Sequence, residues 1–251
     1  MSWSLRVVER IDSTTAELLR CPIEQAQPGT ALLALEQSGG KGRSDRPFLS
    51  PPGGMYLSVS LRPREPDGLS LLGSMALVDL LRRLGVASKL RWPNDVTVGG
   101  KKIAGVLPVA RYSGNQLERA VLGVGFNIST PFEQFPEELR PGVTTLEREL
   151  PGGSASPEVL ALTRDYLEVL EDELQALELS GLPALALRCE TVLEALGEER
   201  RPCLVEPGQP PVELSPIVGL DGRGALLLED GHRLEALGRD QRLRFTDELG
   251  L

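Results

Sequence analysis

Arg91 to Gly105, RWPNDVTVGGKKIAG, decides how the rest of this chain is read. Trp92-Pro93-Asn94-Asp95 is turn chemistry, because proline fixes φ and Asx side chains bond their own backbone. Val96-Thr97-Val98 reads as a short strand, Gly99-Gly100 as a two-residue turn of primed type, and Lys102 to Leu107 as the returning strand. Such a hairpin holds Asp95 and Lys102 within reach of each other. Lysine occurs only at positions 41, 89, 101 and 102, whereas arginine is plentiful, so the pair at the turn stands out. By itself the segment is equally consistent with a solvated basic surface hairpin.

A second segment sharpens the reading. Glu36 to Arg46, EQSGGKGRSDR, follows the apolar run Thr30 to Leu35 and sets three glycines among three cations. Glycines let backbone N–H groups approach an anion, and arginine offers a planar fork that matches phosphate or carboxylate oxygens. The spacing fits neither the P-loop nor the dinucleotide fingerprint, so a flexible polar loop stays open as the alternative. The formal net charge of −9 over 251 residues argues against nucleic-acid binding, which needs a basic face. Yet between Glu36 and Arg111 twelve cations face six carboxylates. A locally basic stretch in an acidic chain points to a small anionic ligand.

Further outward, helices are predicted at Thr14 to Arg20, Ser70 to Leu84, Ser156 to Leu177 with Ser156 as N-cap and Pro157 at N1, and Pro183 to Leu196. Thr14-Thr15-Ala16-Glu17 satisfies a capping box with Thr14 as the cap. Strands are predicted at Ala31 to Leu35, Met55 to Leu61, Lys89 to Trp92, Val96 to Val98, Lys102 to Ala110 and Glu118 to Ile128, several joined by hairpin-length connections. The pattern is α+β with a mixed, largely antiparallel sheet. Residues 1–197 form the main unit. Residues 198–251 carry short strands, notably Pro216 to Leu220 and Ala225 to Glu229, and form a small β-barrel. Cys21, Cys189 and Cys203 lack metal-ligand spacing and read as reduced thiols of a cytoplasmic protein. No apolar run is long enough for a bilayer, and the single histidine, His232, excludes a multi-histidine metal site and reads as a solvated loop residue.

With these pieces assembled, the chain resembles the biotin protein ligases over almost its full length. Asp12-Ser13-Thr14-Thr15 is similar to the family's D-S-T-N, and Gln37 to Pro51 to its Q-x-x-G-R-G-R-x-G-R-x-W-x-S-P loop. Arg91 to Leu107 resembles K-W-P-N-D followed by K-K-x-x-G-I-L, and Val121 to Asn127 resembles V-x-G-I-G-I-N. The resemblance implies a class II synthetase-like core with an SH3-like C-terminal barrel. It implies that biotin is activated by ATP with Mg²⁺ as biotinyl-5′-AMP and passed to a lysine of a biotin carboxyl carrier domain of a biotin-dependent carboxylase. No protein-held metal or membrane partner is expected, and because the catalytic region begins at the first residues DNA-dependent regulation is not expected either; a homodimer through sheet edges is compatible with the pattern.

The resemblance also implies roles. Lys102 stabilises charge at the reacting carboxyl and phosphoryl oxygens, Asp95 orients that lysine or the incoming amine, and Arg91 takes the place of a lysine that contacts ligand carboxylate or phosphate. Lys41, Gly42 and Arg43 fold over the adenylate, in a loop whose composition predicts disorder without ligand. Ser13, Thr14, Thr15 and Gln37 correspond to the biotin ring side and Asn127 to the nucleotide side, with Gly40, Asn94 and Gly105 also bordering the ligands. The chain departs from the pattern at Lys41, Asp45, Phe48 and Arg91, where the family has arginine, glycine, tryptophan and lysine, and at Thr15, where it has asparagine. Asp45 brings a negative charge toward an expected anion, to be neutralised by Arg43 or Arg46. Two other readings follow from these departures and from the shared core: a non-catalytic biotin or adenylate binder, and a lipoate or octanoate transferase.

Overall fold

The computed structural model describes residues 2–63, 66–198, 200–237 and 241–250. Among them, β1 (Ser4–Ile11), β2 (Thr30–Gln37), β3 (Gly54–Leu61), β4 (Lys89–Arg91), β5 (Asp95–Val98), β6 (Lys101–Ser113) and β7 (Gln116–Asn127) make one sheet. Its order is β1-β2-β3-β7-β6-β5-β4. Only the β1–β2 pair is parallel, so the sheet is mixed and largely antiparallel as the hairpin-length connections require. β1 was not foreseen: it is an edge strand with no buried residue, so it lacks an apolar alternation.

Side-chain alternation gives the two sheet faces different tasks. Leu57 and Val59 of β3, Leu122, Val124 and Phe126 of β7, and Val106 of β6 point to one face and are buried against α2 (Leu69–Arg83) and α4 (Val159–Glu190). Gly73 of α2 lets that helix approach closely, since a Cβ there would sit 2.8 Å from Val106 Cγ1. The opposite parity of β3 and β7 carries Tyr56, Ser58, Gly123 and Gly125. On that side α1 (Thr14–Arg20) packs Leu18 with Leu32 and Val121 in a smaller cluster.

α1 is held at both ends. Its N-cap is Ser13, whose hydroxyl accepts from Ala16 N–H, and not Thr14 as the capping-box pattern suggested. The cap moves back one residue because Thr14 is turned inward to other partners. Asp12 sits beside it, its pKa pushed down to about 2 by hydrogen bonds from Arg20 and the Ser13 N–H. At the other end, buried Arg119 donates to the carbonyls of Leu18 and Cys21, and Arg111 to that of Leu19 at 2.9 Å. These arginines satisfy the orphan C-terminal acceptors of the helix.

Two helix boundaries differ from expectation. Ser156 and Pro157 precede α4, whose N-cap is Glu158 with no side-chain capping bond. The region expected as a separate helix from Pro183 is the continuation of α4 across a break at Gly181, where φ is +75°. Pro183 falls just after the break, where a missing N–H costs least, and the helix ends at Glu190 rather than Leu196. The break is bridged by a salt bridge from Arg188 to the buried carboxylate of Glu173.

After α3 (Leu146–Glu149) and α4, β8 (Pro202–Val205), β9 (Val212–Glu213), β10 (Ile217–Leu220), β11 (Leu226–Leu228), β12 (Arg233–Leu234) and β13 (Arg242–Phe245) lead to α5 (Thr246–Leu249). They form two small antiparallel sheets, β10-β11-β12 and β13-β8-β9, consistent with an SH3-like unit. Ile217, Leu226 and Phe245 share the main apolar cluster, and Trp92 Nε1 donates to the Gly224 carbonyl at 2.9 Å. Trp92 is thus buried as core. His232 is exposed beside Asp230. The three cysteines are free, and no described helix is long and apolar enough to cross a membrane.

Arg119→Met should lower unfolding stability by about 1–3 kcal/mol in urea titration, since it leaves buried α1 carbonyls unpaired. Unchanged stability would mean that water replaces the arginine at the helix end.

Candidate active site

The β5–β6 hairpin forms as its glycines require. Gly99 and Gly100 have φ of +54° and +76°, and Val98 pairs directly with Lys101. A register shift between Val96 and Thr97 puts Thr97 opposite Lys102 and Asp95 opposite Gly105. Lys102 Nζ consequently donates to Asp95 Oδ1 at 2.6 Å. Asn94 fastens the preceding turn: its side-chain amide donates to the Val106 carbonyl at 2.8 Å, while Val106 N–H donates to Asn94 O. The Lys102 backbone is pinned in turn, as Thr144 N–H donates to its carbonyl and Asn127 Nδ2 donates to Thr144 O at 3.1 Å.

Beside this hairpin lies a cleft of roughly 870 Å³. Gly105, Gly123 and Gly125 form its floor; Gly105 and Gly125 oppose each other across β6 and β7, and Gly123 faces Ser58. A side chain at any of the three would intrude. A Cβ at Gly123 would lie 2.7 Å from Thr15 Oγ1, one at Gly105 would lie 3.0 Å from Lys102 Nζ, and one at Gly125 would overlap the Phe48 ring. Glycine within a strand marks close approach of another group, here a ligand-sized space.

One end of the cleft is neutral and polar. Thr14 donates through N–H and hydroxyl to Gln37 Oε1 at 2.8 and 3.0 Å, and its hydroxyl also meets Ser58 Oγ at 2.8 Å. Thr15 Oγ1 lies 2.9 Å from Ser58 Oγ, and Gln37 Nε2 donates to Ser50 Oγ. Such a set fixes the orientation of several donors and acceptors toward a neutral polar ring. Ser58 was missed by sequence reading; a polar residue inside an otherwise apolar strand was its only signal.

The other end is cationic. Residues 40–48 form a miniature hairpin, with Phe48 N–H donating to Gly40 O and Gly42 N–H to Arg46 O. Ser44 and Asp45 have φ of +56° and +60°. Asp tolerates this left-handed region better than most residues, which accounts for a position where the resembling family carries glycine. Asp45 pairs with Lys41 at 2.9 Å, a partner that sequence reading did not name for it. Arg43 Nη2 donates to the Leu237 carbonyl at 2.9 Å, tying the loop to the C-terminal residues. Burial first, and then Arg46, push the Arg43 pKa down. Burial, Arg46 and Arg244 do the same to Arg242. Cations crowded this way lower their mutual repulsion by taking up an anion. Arg46, named from sequence as a loop cation, lines the cleft, as do Arg242 and Arg244, which were not singled out because they lie about 140 residues from the hairpin with no motif around them.

Thirteen of the fourteen residues named from sequence line this one cleft. The exception is Gly40, which is packed behind it: a Cβ there would lie 2.6 Å from Phe48 O. Arg91 reaches the cleft wall, but its guanidinium is taken up by Glu194, Glu248 and the Gly100 carbonyl. Among the described residues no cluster of three or more His, Cys, Asp or Glu could hold a metal ion.

The comparisons with known proteins agree with this geometry. The model of the biotin/lipoate A/B protein ligase family matches residues 7–127. A bifunctional ligase/repressor of Escherichia coli is 30% identical over 98% of this chain and 75% of its own length. A biotin–[acetyl-CoA-carboxylase] ligase of Paracoccus denitrificans is 35% identical over 49% of this chain and 54% of its own. The biotin protein ligase of Aquifex aeolicus, solved with biotin and ATP, superposes with a TM-score of 0.79 at 27% identity, over 96% of this chain and 98% of that one. The matches to the first curated relatives span 40 to 54% of those proteins' lengths.

Asp45→Asn keeps a side chain that tolerates the left-handed backbone but removes the pair with Lys41. Backbone hydrogen exchange over residues 40–48 should then quicken about two- to fivefold, the range for an exposed ion pair. Unchanged exchange would show that the backbone bonds alone hold the loop.

Proposed function

This chain belongs to the biotin protein ligase family, and from that premise we propose that it attaches biotin to a lysine of a carrier protein in two ATP-driven steps. The observation that carries the reading is a single cleft in which a neutral hydrogen-bonding end, a glycine floor and a cationic end follow one another. Biotin, with a neutral ureido ring and a carboxylate tail, has the same order of chemistry.

In the first step a biotin carboxylate oxygen attacks the α-phosphorus of ATP. The new acyl–phosphate bond forms as the bond to the β-phosphate breaks, and pyrophosphate leaves. Two anions must meet, so catalysis requires fixed positive charge at the meeting point. We assign this to Lys102, held by Asp95, with Arg43 on the phosphate and Arg242 and Arg244 toward the outer phosphates. Mg²⁺ enters as part of MgATP, held mainly by phosphate oxygens and water, and screens charge on the triphosphate. Asp95 and Glu138 on the cleft wall are the carboxylates that would complete its shell, since Glu248, which also lines the cleft, is taken up by Arg91 and Arg244.

Ser13, Thr14, Thr15, Gln37 and Ser58 take the ureido ring, and Gly105, Gly123 and Gly125 leave room for the acyl chain and adenylate. Asn94 and Asn127 act by fixing the hairpin and the Thr144 segment. Lys41 and Gly42 belong to the loop that covers the mixed anhydride and keeps water from hydrolysing it. In the second step the carrier amine attacks the acyl carbon, an amide forms, AMP leaves with the bonding electrons, and the amine gives up its proton to solvent. The carrier is a biotin carboxyl carrier domain, such as that of acetyl-CoA carboxylase, in the cytoplasm. Residues 1–197 supply the catalytic unit and 198–251 the part that closes it.

The test is biotin-dependent pyrophosphate release followed by carrier biotinylation read by mass. Lys102→Ala should lower both by at least about a hundredfold, the scale for losing one charge-stabilising group, while the fold survives, since the Lys102–Asp95 pair is partly exposed. Lipoate should not replace biotin. Turnover with lipoate, or biotin binding without pyrophosphate, would overturn the proposal in favour of a transferase or a binder.

A further inference from the structure

Arg91 stands where the resembling motif has a lysine, and its surroundings are unlike those of a group waiting for substrate. Its Nε donates to Glu194 Oε2 at 2.6 Å, and Nη2 donates to Glu194 Oε1 at 3.1 Å. Nη2 also donates to the Gly100 carbonyl at 3.0 Å and to Glu248 Oε1, and Nη1 reaches Glu248 Oε2 at 3.4 Å. The guanidinium lies 5.2 Å from the centroid of the buried Phe245 ring, and Arg200, itself paired with Glu194 at 3.3 Å, lies 4.7 Å from the same ring. Burial works against the charge, yet the two carboxylates outweigh it and raise the Arg91 pKa.

Each partner comes from a different part of the chain. Gly100 is the turn that delivers Lys102. Glu194 lies on the segment that bridges to β4 through Leu90 and Leu193. Phe245 and Glu248 end β13 and form α5, next to Arg242 and Arg244. Glu248 also accepts from Arg244 Nη1 at 3.4 Å. A lysine offers three donors from one point and no plane; it cannot bind Glu194 sideways, hold Glu248 and Gly100, and stack on Phe245 at once.

We infer that Arg91 is a positioning residue that fastens β13 across the cleft and so sets the affinity for ATP through the placement of Arg242 and Arg244. The inference rests on the ligase reading above. Arg91 does not touch the reacting atoms. Its loss loosens the outer-phosphate side and frees the Gly100 carbonyl, while Lys102 keeps its place through Asp95, the Thr144 N–H and the Asn94–Val106 bonds, none of which involves Arg91.

The full-length protein, Arg91→Lys and Glu248→Gln are compared in biotin-dependent pyrophosphate release, in biotin affinity by calorimetry without ATP, and in hydrogen exchange over residues 242–249. Both variants should raise the KM for ATP about tenfold, the loss of one charge-assisted hydrogen bond. kcat should stay within about twofold of the parent and biotin affinity should not move, while residues 242–249 exchange faster. A fall in kcat at unchanged KM, or weakened biotin binding, would mean that Arg91 acts on the reacting groups and would overturn the inference. Unchanged KM with faster exchange would overturn it too, because the clamp would then be structural only. Glu248→Gln keeps the test open should Arg91→Lys fail to fold. If the parent releases no pyrophosphate, the ligase reading fails, and unchanged exchange in Arg91→Lys would separately dispose of the clamp.

Discussion

The whole arrangement depends on the two-residue alternation of β3, β7 and β6, which makes one sheet face a core and the other a binding surface. Leu57, Val59, Leu122, Val124, Phe126 and Val106 contribute about 1.5–3 kcal/mol each by burial against α2 and α4. Glycine in strand interiors costs roughly 0.5–1 kcal/mol each, so Gly105, Gly123 and Gly125 are carried without difficulty by the packed face. A one-residue slip in register would exchange the faces and destroy core and cleft together. The hairpin bonds of Asn94 to Val106 are therefore part of the site as much as Lys102 is.

Charge is organised on the same plan. An acidic chain gathers Lys102, Arg43, Arg46, Arg242 and Arg244 around one cleft, so the local field favours an anion despite the net charge of −9. The two ion pairs at the hairpin differ in kind. Lys102–Asp95 is partly exposed, with side chains 32% and 28% accessible, and contributes little to stability; its value lies in holding an ammonium group at one place. Arg91–Glu194 is buried, at 6% and 1%, where removing one partner costs about 3–5 kcal/mol. That difference is why the first reads as chemistry and the second as architecture.

The sequence was legible where local chemistry is decisive. Gly99-Gly100 permits one kind of tight turn, so the hairpin and the Asp95–Lys102 pair could be read directly, and α1 ends where Thr14 to Arg20 suggested. It was illegible where a residue's partner is distant. Thr14 looks like a cap until Gln37 and Ser58 claim its hydroxyl. Arg91 looks like a substitute ligand until Glu194 and Glu248, over a hundred residues on, enclose it. Ser156-Pro157 has capping chemistry but lies before the helix. Arg242 and Arg244 sit on a short strand with no motif, and only the closure of the C-terminal sheets brings them to the cleft.

The central claim is that one cleft makes and retains an acyl adenylate. Native mass spectrometry of the protein after incubation with biotin, ATP and Mg²⁺, without carrier, tests it most directly. The account predicts a one-to-one complex carrying the mass of biotinyl-5′-AMP, which disappears when carrier is added. A protein that retains only biotin, or biotin and intact ATP side by side, under conditions where an authentic ligase forms the adenylate would contradict it.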